Sequence, residues 1–281
     1  MLAISPSQVA TLRTYAVGDI HGRLDLLRAA ANTIWGHASN RPFRIVFLGD
    51  YVDRGPDSRG VIEFLIDLQR RWQVCCLKGN HEEMMVRAVE DPGAGRLERW
   101  LEYGGEETLQ SYGLNGDDDL LARIPSEHTR WMSNLPRSIS DNHRIYVHAG
   151  LMPRTPLDGQ TDETCLWIRE RFLQGAPGDF KAHVVHGHTP VWEGKTNPAE
   201  PELLEHRTNL DTGAFATGVL SIAVFDAAIP GGPVEMLKVR GAPTLRDASI
   251  PPASASSPEA ERRRPGIGGW FSKRVRTAAF R

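Results

Sequence analysis

Residues 49–56 read Gly-Asp-Tyr-Val-Asp-Arg-Gly-Pro, and they follow the apolar run Ile-Val-Phe-Leu at 45–48. A β-branched and aromatic run that stops at Gly-Asp predicts a buried strand with a carboxylate, Asp50, at its C-terminal end. In open α/β sheets, ligands and reactive groups gather at this edge. The stretch therefore predicts an α/β fold with Asp50 in its functional site.

The same arrangement occurs four more times along the chain. Short apolar runs lead into Gly-Asp-Ile-His-Gly at 18–22, Gly-Asn-His-Glu at 79–82, His-Ala-Gly at 148–150 and Gly-His-Thr at 187–189. Right-handed crossovers between parallel strands bring such strand ends to one edge. The side chains expected there are Asp19, His21, Asp50, Asn80, His81, His148 and His188.

These side chains predict a site for two metal ions. Carboxylates, imidazoles and an amide oxygen suit divalent first-row metals, and the set is larger than one tetrahedral ion needs. Asp50 is the candidate for the shared ligand, because it lies between the two motif clusters and a carboxylate can bind two cations through separate oxygens.

In their order, the segments GDxHG, GDxVDRG, GNHE, HxG and GH resemble the phosphoprotein phosphatase family within the calcineurin-like metallophosphoesterases, over residues 15 to about 226. The likeness is to bacterial and phage members such as phage lambda phosphatase. It implies an α/β fold of two mixed β-sheets packed as a sandwich and flanked by helices, with a helical insert after GNHE. It also implies hydrolysis by direct attack of a hydroxide that bridges the two metals.

The resemblance divides the ligands between the two metals. It assigns one metal to Asp19, His21 and Asp50, and the other to Asp50, Asn80, His148 and His188. Manganese is the expected metal, with iron or zinc as alternatives. His186 would face the same side of a continued strand as His188, but only His188 follows the glycine at the strand end. We therefore expect His188 to be the ligand and His186 to pack nearby.

The resemblance also assigns catalytic roles. His81 would protonate the leaving oxygen, and Asp53 would orient and charge its ring, because a carboxylate partner raises the proton affinity of an imidazole. A turn residue that caps Arg54 is the alternative role of Asp53. Arg54 and Arg169 are the candidate phosphate clamps, since guanidinium groups match phosphoryl oxygens. Arg171, in the same Leu-Trp-Ile-Arg-Glu-Arg-Phe segment, is the alternative to Arg169.

Apolar periodicity predicts helices at 23–35, 59–72 and 164–172, with Asp57 or Ser58 as the cap of the second. The helical pattern from 82 to 99 is broken at 91–93. Short runs at 203–210, 219–225 and 234–239 have no helices between them, which favours antiparallel strands of a second sheet. Trp100 and Trp167 lie in helical patterns and are expected to pack, whereas Tyr51 could stack on the group that carries the phosphate.

Length and composition indicate one catalytic domain, 1–240, followed by a tail, 241–281. The chain has 281 residues and is 40% hydrophobic. Its tail is rich in Pro, Ala and Ser and carries eight Lys or Arg against three acids, hence a charge of +5 beside −7 for the rest. The tail's basic and aromatic end could form an amphipathic helix that contacts a membrane or an acidic partner, or it could be a disordered solubilising segment.

Three further patterns bear on site and location. The Asp-Asp-Asp run at 117–119 could bind a metal, but its place before an apolar helical pattern favours a helix N-terminus. Three cysteines make no disulfide framework, and the N-terminus lacks the basic segment of a signal peptide. No apolar run reaches the roughly 20 residues that span a bilayer. We therefore expect a cytoplasmic protein.

The function that the sequence favours is a metal-dependent serine/threonine protein phosphatase acting on a phosphorylated protein or peptide, with no nucleic acid partner. A dinucleoside tetraphosphate or RNA 5′-end hydrolase is the alternative, because related enzymes use nearly the same ligands. Val-Asp-Arg-Gly at 52–55, where we associate Val-Ala-Arg-Gly with the symmetrical tetraphosphatases, favours the monoesterase. A non-catalytic binding module is the third possibility, but every ligand, acid and clamp position is filled.

Overall fold

A computed structural model describes residues 12–39, 41–114, 121–190 and 199–242. The strands in these residues are β1 (Arg13–Val17), β2 (Phe43–Phe47), β3 (Val74–Cys76), β4 (Ser138–Ser140), β5 (Arg144–Val147), β6 (His183–His186), β7 (Glu202–Leu203), β8 (Arg207–Asn209), β9 (Val219–Asp226) and β10 (Glu235–Arg240). They form two five-stranded sheets.

The α-helices of the described residues are α1 (Leu24–Ala38), α2 (Ser58–Arg71), α3 (Asn80–Glu90), α4 (Arg96–Trp100), α5 (Glu106–Ser111), α6 (Ser126–Ser133), α7 (Asp162–Trp167), α8 (Glu170–Leu173) and α9 (Ala214–Thr217). A π-helical turn, Leu101–Gly105, joins α4 to α5. Short 3₁₀ turns lie at Leu121–Arg123, Leu157–Gly159 and Pro177–Asp179.

The first sheet has the strand order β10-β9-β1-β2-β3. Strands β1, β2 and β3 are parallel, with Tyr15 opposite Ile45 and Ile45 opposite Val74. Helices α1 and α2 connect them, which confirms the predicted βαβαβ half. Strands β9 and β10 add to β1 in antiparallel orientation. The prediction that they belong to the second sheet is therefore wrong.

The second sheet has the order β4-β5-β6-β8-β7, and β5, β6 and β8 are parallel. The expected antiparallel pairing is limited to its edge strands, β4 and β7. The strand predicted at 203–210 is a hairpin instead, because the chain reverses where the Leu204 N–H donates to the Arg207 carbonyl. Periodicity alone did not reveal this turn.

The two sheets pack face to face, as the alternation of side chains on each strand requires. Ala16 and Val46 of the first sheet share a buried cluster with Tyr146 and Val185 of the second. The outward neighbours on the first sheet, such as Tyr15, pack with the helices of its outer face. The predicted sandwich of two mixed sheets flanked by helices is confirmed.

Two local predictions had different outcomes. Asp57 caps α2, and its carboxylate accepts from the Gly60 N–H at 2.8 Å. The helix predicted at 164–172 is broken into α7 and α8, because Arg169 leaves the helical conformation with φ −129° and ψ −96°. The aspartate run at 117–119 lies outside the described residues, as does the predicted tail beyond Ala242.

Two observations bear on the expected cellular location of the protein. Cys75, Cys76 and Cys165 are all free thiols. Within the described part of the chain, no helix has the length and apolar character needed to cross a bilayer.

Candidate metal centre and active site

Five strand ends deliver the predicted ligands to one place. Each lies just beyond the C-terminal end of its strand: β1, β2, β3, β5 or β6. None of these side chains is more than 4% exposed. The structure thus brings together the six predicted metal ligands: Asp19, His21, Asp50, Asn80, His148 and His188.

Asp50 lies at the centre of this cluster. Its Oδ1 is 3.3 Å from Nε2 of His148, and its Oδ2 is 3.5 Å from Nε2 of His21 and 3.8 Å from Nε2 of His81. Two groups of ligand atoms, each within 4.8 Å, therefore share Asp50: one with His21 and His81, the other with His148 and His188. This arrangement fits a carboxylate that binds two cations.

The first group contains His81 where the resemblance implied Asp19. Asp19 is nevertheless buried beside it, with Oδ2 accepting from the His188 N–H at 2.9 Å. Its Oδ1 is buried and has no hydrogen-bond partner among the residues that the structure describes. A Cβ on Gly187 would lie 1.9 Å from this oxygen, so the glycine of the Gly-His-Thr segment is needed for the carboxylate to fit. An unpartnered buried carboxylate oxygen is what a missing cation would leave.

The protonation state of His148 also indicates a metal ion in this cluster. Burial lowers the pKa of His148 to about 4, so the ring is neutral and has one N–H. Nδ1 uses it to donate to the Leu48 carbonyl at 3.0 Å. The lone pair of Nε2 then faces Oδ1 of Asn80 at 2.9 Å and Oδ1 of Asp50. Three acceptor atoms thus converge with no donor between them in the described part of the chain, which fits a cation among them.

The electrostatics of the other groups agree. Burial lowers the pKa of His21 and of His188 well below its usual value, which keeps both rings neutral and able to ligate. Burial raises the pKa of Asp19 well above its usual value and that of Asp50 to about 7. Because a bound cation stabilises ionised carboxylates, these groups fit two divalent metals held by the six predicted ligands.

Backbone conformation adds an independent sign of a functional site. Eight non-glycine residues of the described chain have φ between 45° and 72°, a region that is costly for residues with a Cβ. Five of the eight are candidate site residues: His21, Asp50, Asp53, Arg54 and His188. Such strain concentrates where side chains must be presented in fixed positions.

His81 and Asp53 form a fully buried pair. Nδ1 of His81 lies 2.7 Å from Oδ2 of Asp53, and Arg54 donates through Nη2 to Nε2 of His81 at 3.0 Å. Because a guanidinium only donates, Nε2 carries a lone pair and Nδ1–H donates to Asp53. Burial, followed by the charge of Arg54, lowers the pKa of His81 well below its usual value. The ring is therefore neutral here, and the predicted rise in its proton affinity is not visible in this state.

Arg169 and Arg171 differ in position. Arg169 is partly buried, donates to Oγ1 of Thr189 at 3.2 Å, and its charge acts on Asp50 and His188. Arg171 is exposed. The break between α7 and α8 turns Arg169 towards the cluster. Tyr51 is fully buried, and its hydroxyl donates to the Leu77 carbonyl at 2.7 Å, so its expected stacking on substrate is wrong.

Sequence reasoning missed four residues of the site. Glu82 accepts from the backbone N–H groups of Asp50, Tyr51, Val52 and Gly79, at 2.7 to 3.3 Å. Asp211 lies just beyond β8 and is buried; burial of Asp19 and, next, the charge of Asp211 raise the pKa of Asp19. The rule of an apolar run followed by a polar residue did not find Asp211, because β8 reads Arg-Thr-Asn.

The other two missed residues are Trp100 and Thr108, which donate to the Asp53 carboxylate. Trp100 was expected only to pack. Its place in a helical pattern gave no sign that its indole N–H has a charged partner.

Comparisons with known proteins agree with this geometry. Residues 12–216 match the calcineurin-like phosphoesterases. The asymmetrical bis(5′-nucleosyl)-tetraphosphatase PrpE of Oceanobacillus iheyensis is 28% identical over 223 residues, which cover 70% of this chain and 82% of that protein. Serine/threonine-protein phosphatase 1 of Salmonella typhimurium is 27% identical over 213 residues, covering 74% and 90%.

The crystal structure of a candidate diadenosine tetraphosphatase has a TM-score of 0.57 and 22% identity, and the match covers 83% of this chain and 98% of that chain. At this identity the likeness supports the fold alone. The special resemblance to phage lambda phosphatase stays a prediction. Since the family match spans more than half of the chain and includes all five strand-end motifs, the protein belongs to the calcineurin-like phosphoesterase family.

Proposed function

We propose that the protein is a divalent-metal-dependent hydrolase of dinucleoside tetraphosphates. The sequence placed a serine/threonine phosphatase first and this activity second. The order is reversed here for two reasons. The Oceanobacillus iheyensis relative is named for this activity, and the alignment covers 82% of its length. In addition, the surroundings of the metal centre suit a nucleotide.

The observation that carries the proposal is an aromatic rim around the metal ligands, formed by Tyr103, Trp167 and Phe215. The three rings meet His81, His188 and His21 edge-on, with centroids 6.1, 6.2 and 5.4 Å apart. Each of the three aromatic side chains is partly exposed. Stacking of a base on an aromatic ring contributes about 1–3 kcal/mol, so the rim supplies the walls that a substrate with two nucleosides needs.

Positive charge around the rim suits a chain of phosphates. The guanidinium of Arg54 lies over Phe215 at 5.0 Å, and that of Arg99 lies over Trp167 at 5.3 Å. Arg169 adds a third cation beside the metal ligands. A tetraphosphate bridge carries more negative charge than a single phosphoester, and guanidinium groups can bind its successive phosphates through paired hydrogen bonds.

The side chains of the site divide the chemistry between them. Bound divalent metals would polarise the phosphoryl group and activate the attacking water. Arg54 and Arg169 would hold phosphoryl oxygens and offset charge in the transition state. With Asp53 ionised beside Nδ1, a protonated His81 would present Nε2–H to the leaving oxygen. Because burial and Arg54 make the imidazolium a strong acid, it would release this proton readily.

A protein phosphatase is the second candidate, and the His81–Asp53 pair favours it. A serine or threonine alkoxide is a poor leaving group that needs a proton, whereas a nucleotide phosphate leaves with less help. The Salmonella typhimurium relative is named for this activity. Both candidates use the same metal ligands and differ in what the rim must hold.

The test is hydrolysis of diadenosine tetraphosphate by the full chain in the presence of Mn²⁺, with the nucleotide products separated by chromatography. We expect turnover that depends on added metal and that is absent from Asp50→Asn. Turnover no faster than that of Asp50→Asn would overturn the proposal.

A further inference from the structure

The Asp53 carboxylate is held by three side chains, of which only His81 belongs to the predicted site. Trp100 donates through Nε1 to Oδ1 at 2.9 Å and lies 3.1 Å from Oδ2. Thr108 donates through Oγ1 to Oδ1 at 2.7 Å. The other oxygen, Oδ2, shares the Trp100 N–H at the longer distance and accepts from Nδ1 of His81 at 2.7 Å. The hydrogen bonds therefore fix the orientation of the carboxylate.

Thr108 holds the residue from two sides. Its hydroxyl also accepts from the Asp53 backbone N–H at 2.9 Å. The side chains of Asp53, Trp100 and Thr108 are fully buried, so water does not compete for these bonds. Since Asp53 has a positive φ of 72°, this backbone bond also helps to hold a costly conformation.

The helical insert places both donors, Trp100 and Thr108, next to Asp53. The π-helical turn separates Trp100, at the end of α4, from Thr108 in α5. A Cβ on Gly105 would lie 2.8 Å from the Trp100 indole. The Gly104 carbonyl accepts from the Arg54 N–H at 3.0 Å, and Gly104 itself has φ 102°. The two glycines therefore let the turn pass close to both partners, and π-helical turns recur at functional sites.

We propose that Trp100 and Thr108 are positioning residues for proton transfer, because they fix the Asp53 carboxylate so that Oδ2 holds the Nδ1–H of His81. Nε2 of His81 then stays directed at the reacting phosphate. The inference rests on the proposed phosphate hydrolysis but not on the group that the phosphate joins. The insert thereby serves the chemistry as well as the selectivity of the site.

The experiment uses two conservative variants of the full chain, Trp100→Phe and Thr108→Val, each of which removes one donor and keeps most of the packing. Thr108→Ser restores the hydroxyl. Tyr112→Phe is the matched control, because it removes a hydroxyl just beyond α5 that contacts His128 at 2.7 Å rather than the pair. Rates are measured on p-nitrophenyl phosphate, which has a good leaving group, and on phenyl phosphate, which has a poor one.

We expect Trp100→Phe and Thr108→Val to lower kcat on phenyl phosphate by about 10- to 100-fold, the range found for hydrogen-bond partners that orient metal ligands. The loss on p-nitrophenyl phosphate should be smaller, with KM and metal content unchanged. Thr108→Ser should recover most of the rate, and Tyr112→Phe should affect both substrates equally. Equal losses on the two substrates would overturn the inference and leave a structural role.

A second readout needs no turnover. In protein labelled with ¹⁵N-histidine, the His81 Nδ1–H proton, assigned by its loss in His81→Asn, should resonate far downfield and move upfield in Trp100→Phe and Thr108→Val. An unchanged resonance would contradict the positioning role. Because neither aryl phosphate carries a nucleoside, failure of diadenosine tetraphosphate hydrolysis would refute the proposed function and leave this test intact.

Discussion

Nε2 of His148 and Oδ1 of Asn80 lie 2.9 Å apart, although neither atom has a hydrogen to donate to the other. The only N–H of the neutral imidazole is donated to the Leu48 carbonyl. Two acceptors at this distance repel unless a cation lies between or beside them. The close approach of these two acceptor atoms is therefore evidence for a metal site beside them.

Asp50→Asn should remove both metals and the activity together, because each carboxylate oxygen faces a different group of ligand atoms. Metal analysis of the dialysed protein should find two ions per chain in the wild type. Asp53→Asn is the control, since Asp53 lies in neither group and its variant should keep both ions. A fully active preparation with at most one ion per chain would contradict the binuclear site.

Trp167→Leu should raise KM for diadenosine tetraphosphate by about 5- to 150-fold, the equivalent of the 1–3 kcal/mol that stacking of one base contributes. Its KM for p-nitrophenyl phosphate should stay within about twofold. Trp72→Leu is the matched control, because Trp72 is 48% exposed and its ring contacts are with Trp35 and Phe43. Equal effects of Trp167→Leu on the two substrates would exclude base stacking on this ring.

Glu82→Gln should lower the free energy of unfolding by about 1–3 kcal/mol. In the wild type several backbone N–H groups donate to the Glu82 carboxylate, and the glutamine would replace one of these acceptor oxygens with an NH₂ group that cannot accept. Urea unfolding followed by circular dichroism measures the change. Glu90→Gln, at an exposed position of the same helix, should change stability by less than about 0.5 kcal/mol. A similar small effect at Glu82 would mean that these backbone bonds are dispensable.

A chain that ends at Ala242 should keep full activity on small substrates, since every candidate site residue precedes this point. The cut keeps β10 and the bond from Nη2 of Arg23 to the Ala242 carbonyl, at 2.9 Å. We expect the shortened chain to lose any binding to vesicles that contain phosphatidylserine, because it lacks the basic tail. Inactivation or unfolding of this chain would show that the tail contributes to the catalytic domain.

The sequence was most informative where one local rule sufficed. A polar residue just beyond an apolar strand identified Asp50, Asn80 and His148. Asp211 escaped this rule, because the strand before it, β8, reads Arg-Thr-Asn and is polar. Glycines that precede His188 and Asp50 were part of that signal, because side chains there would collide with the site.

The sequence was least informative where long-range pairing decides. The runs that form β9 and β10 would suit either sheet, and only pairing with β1 places them in the first. The Asp53 contacts of Trp100 and Thr108 span 47 and 55 residues. Helical periodicity identified Trp100 as a packing residue, but it carries no information on a hydrogen bond to a distant turn.

The most direct test of the proposed function is the ratio of kcat/KM for diadenosine tetraphosphate to kcat/KM for a phosphothreonine peptide, measured on the same metal-loaded protein. The aromatic rim and its surrounding arginines predict a ratio above about ten, or roughly 1.4 kcal/mol of transition-state preference. A ratio below about one-tenth would contradict this account and make the protein a phosphoprotein phosphatase.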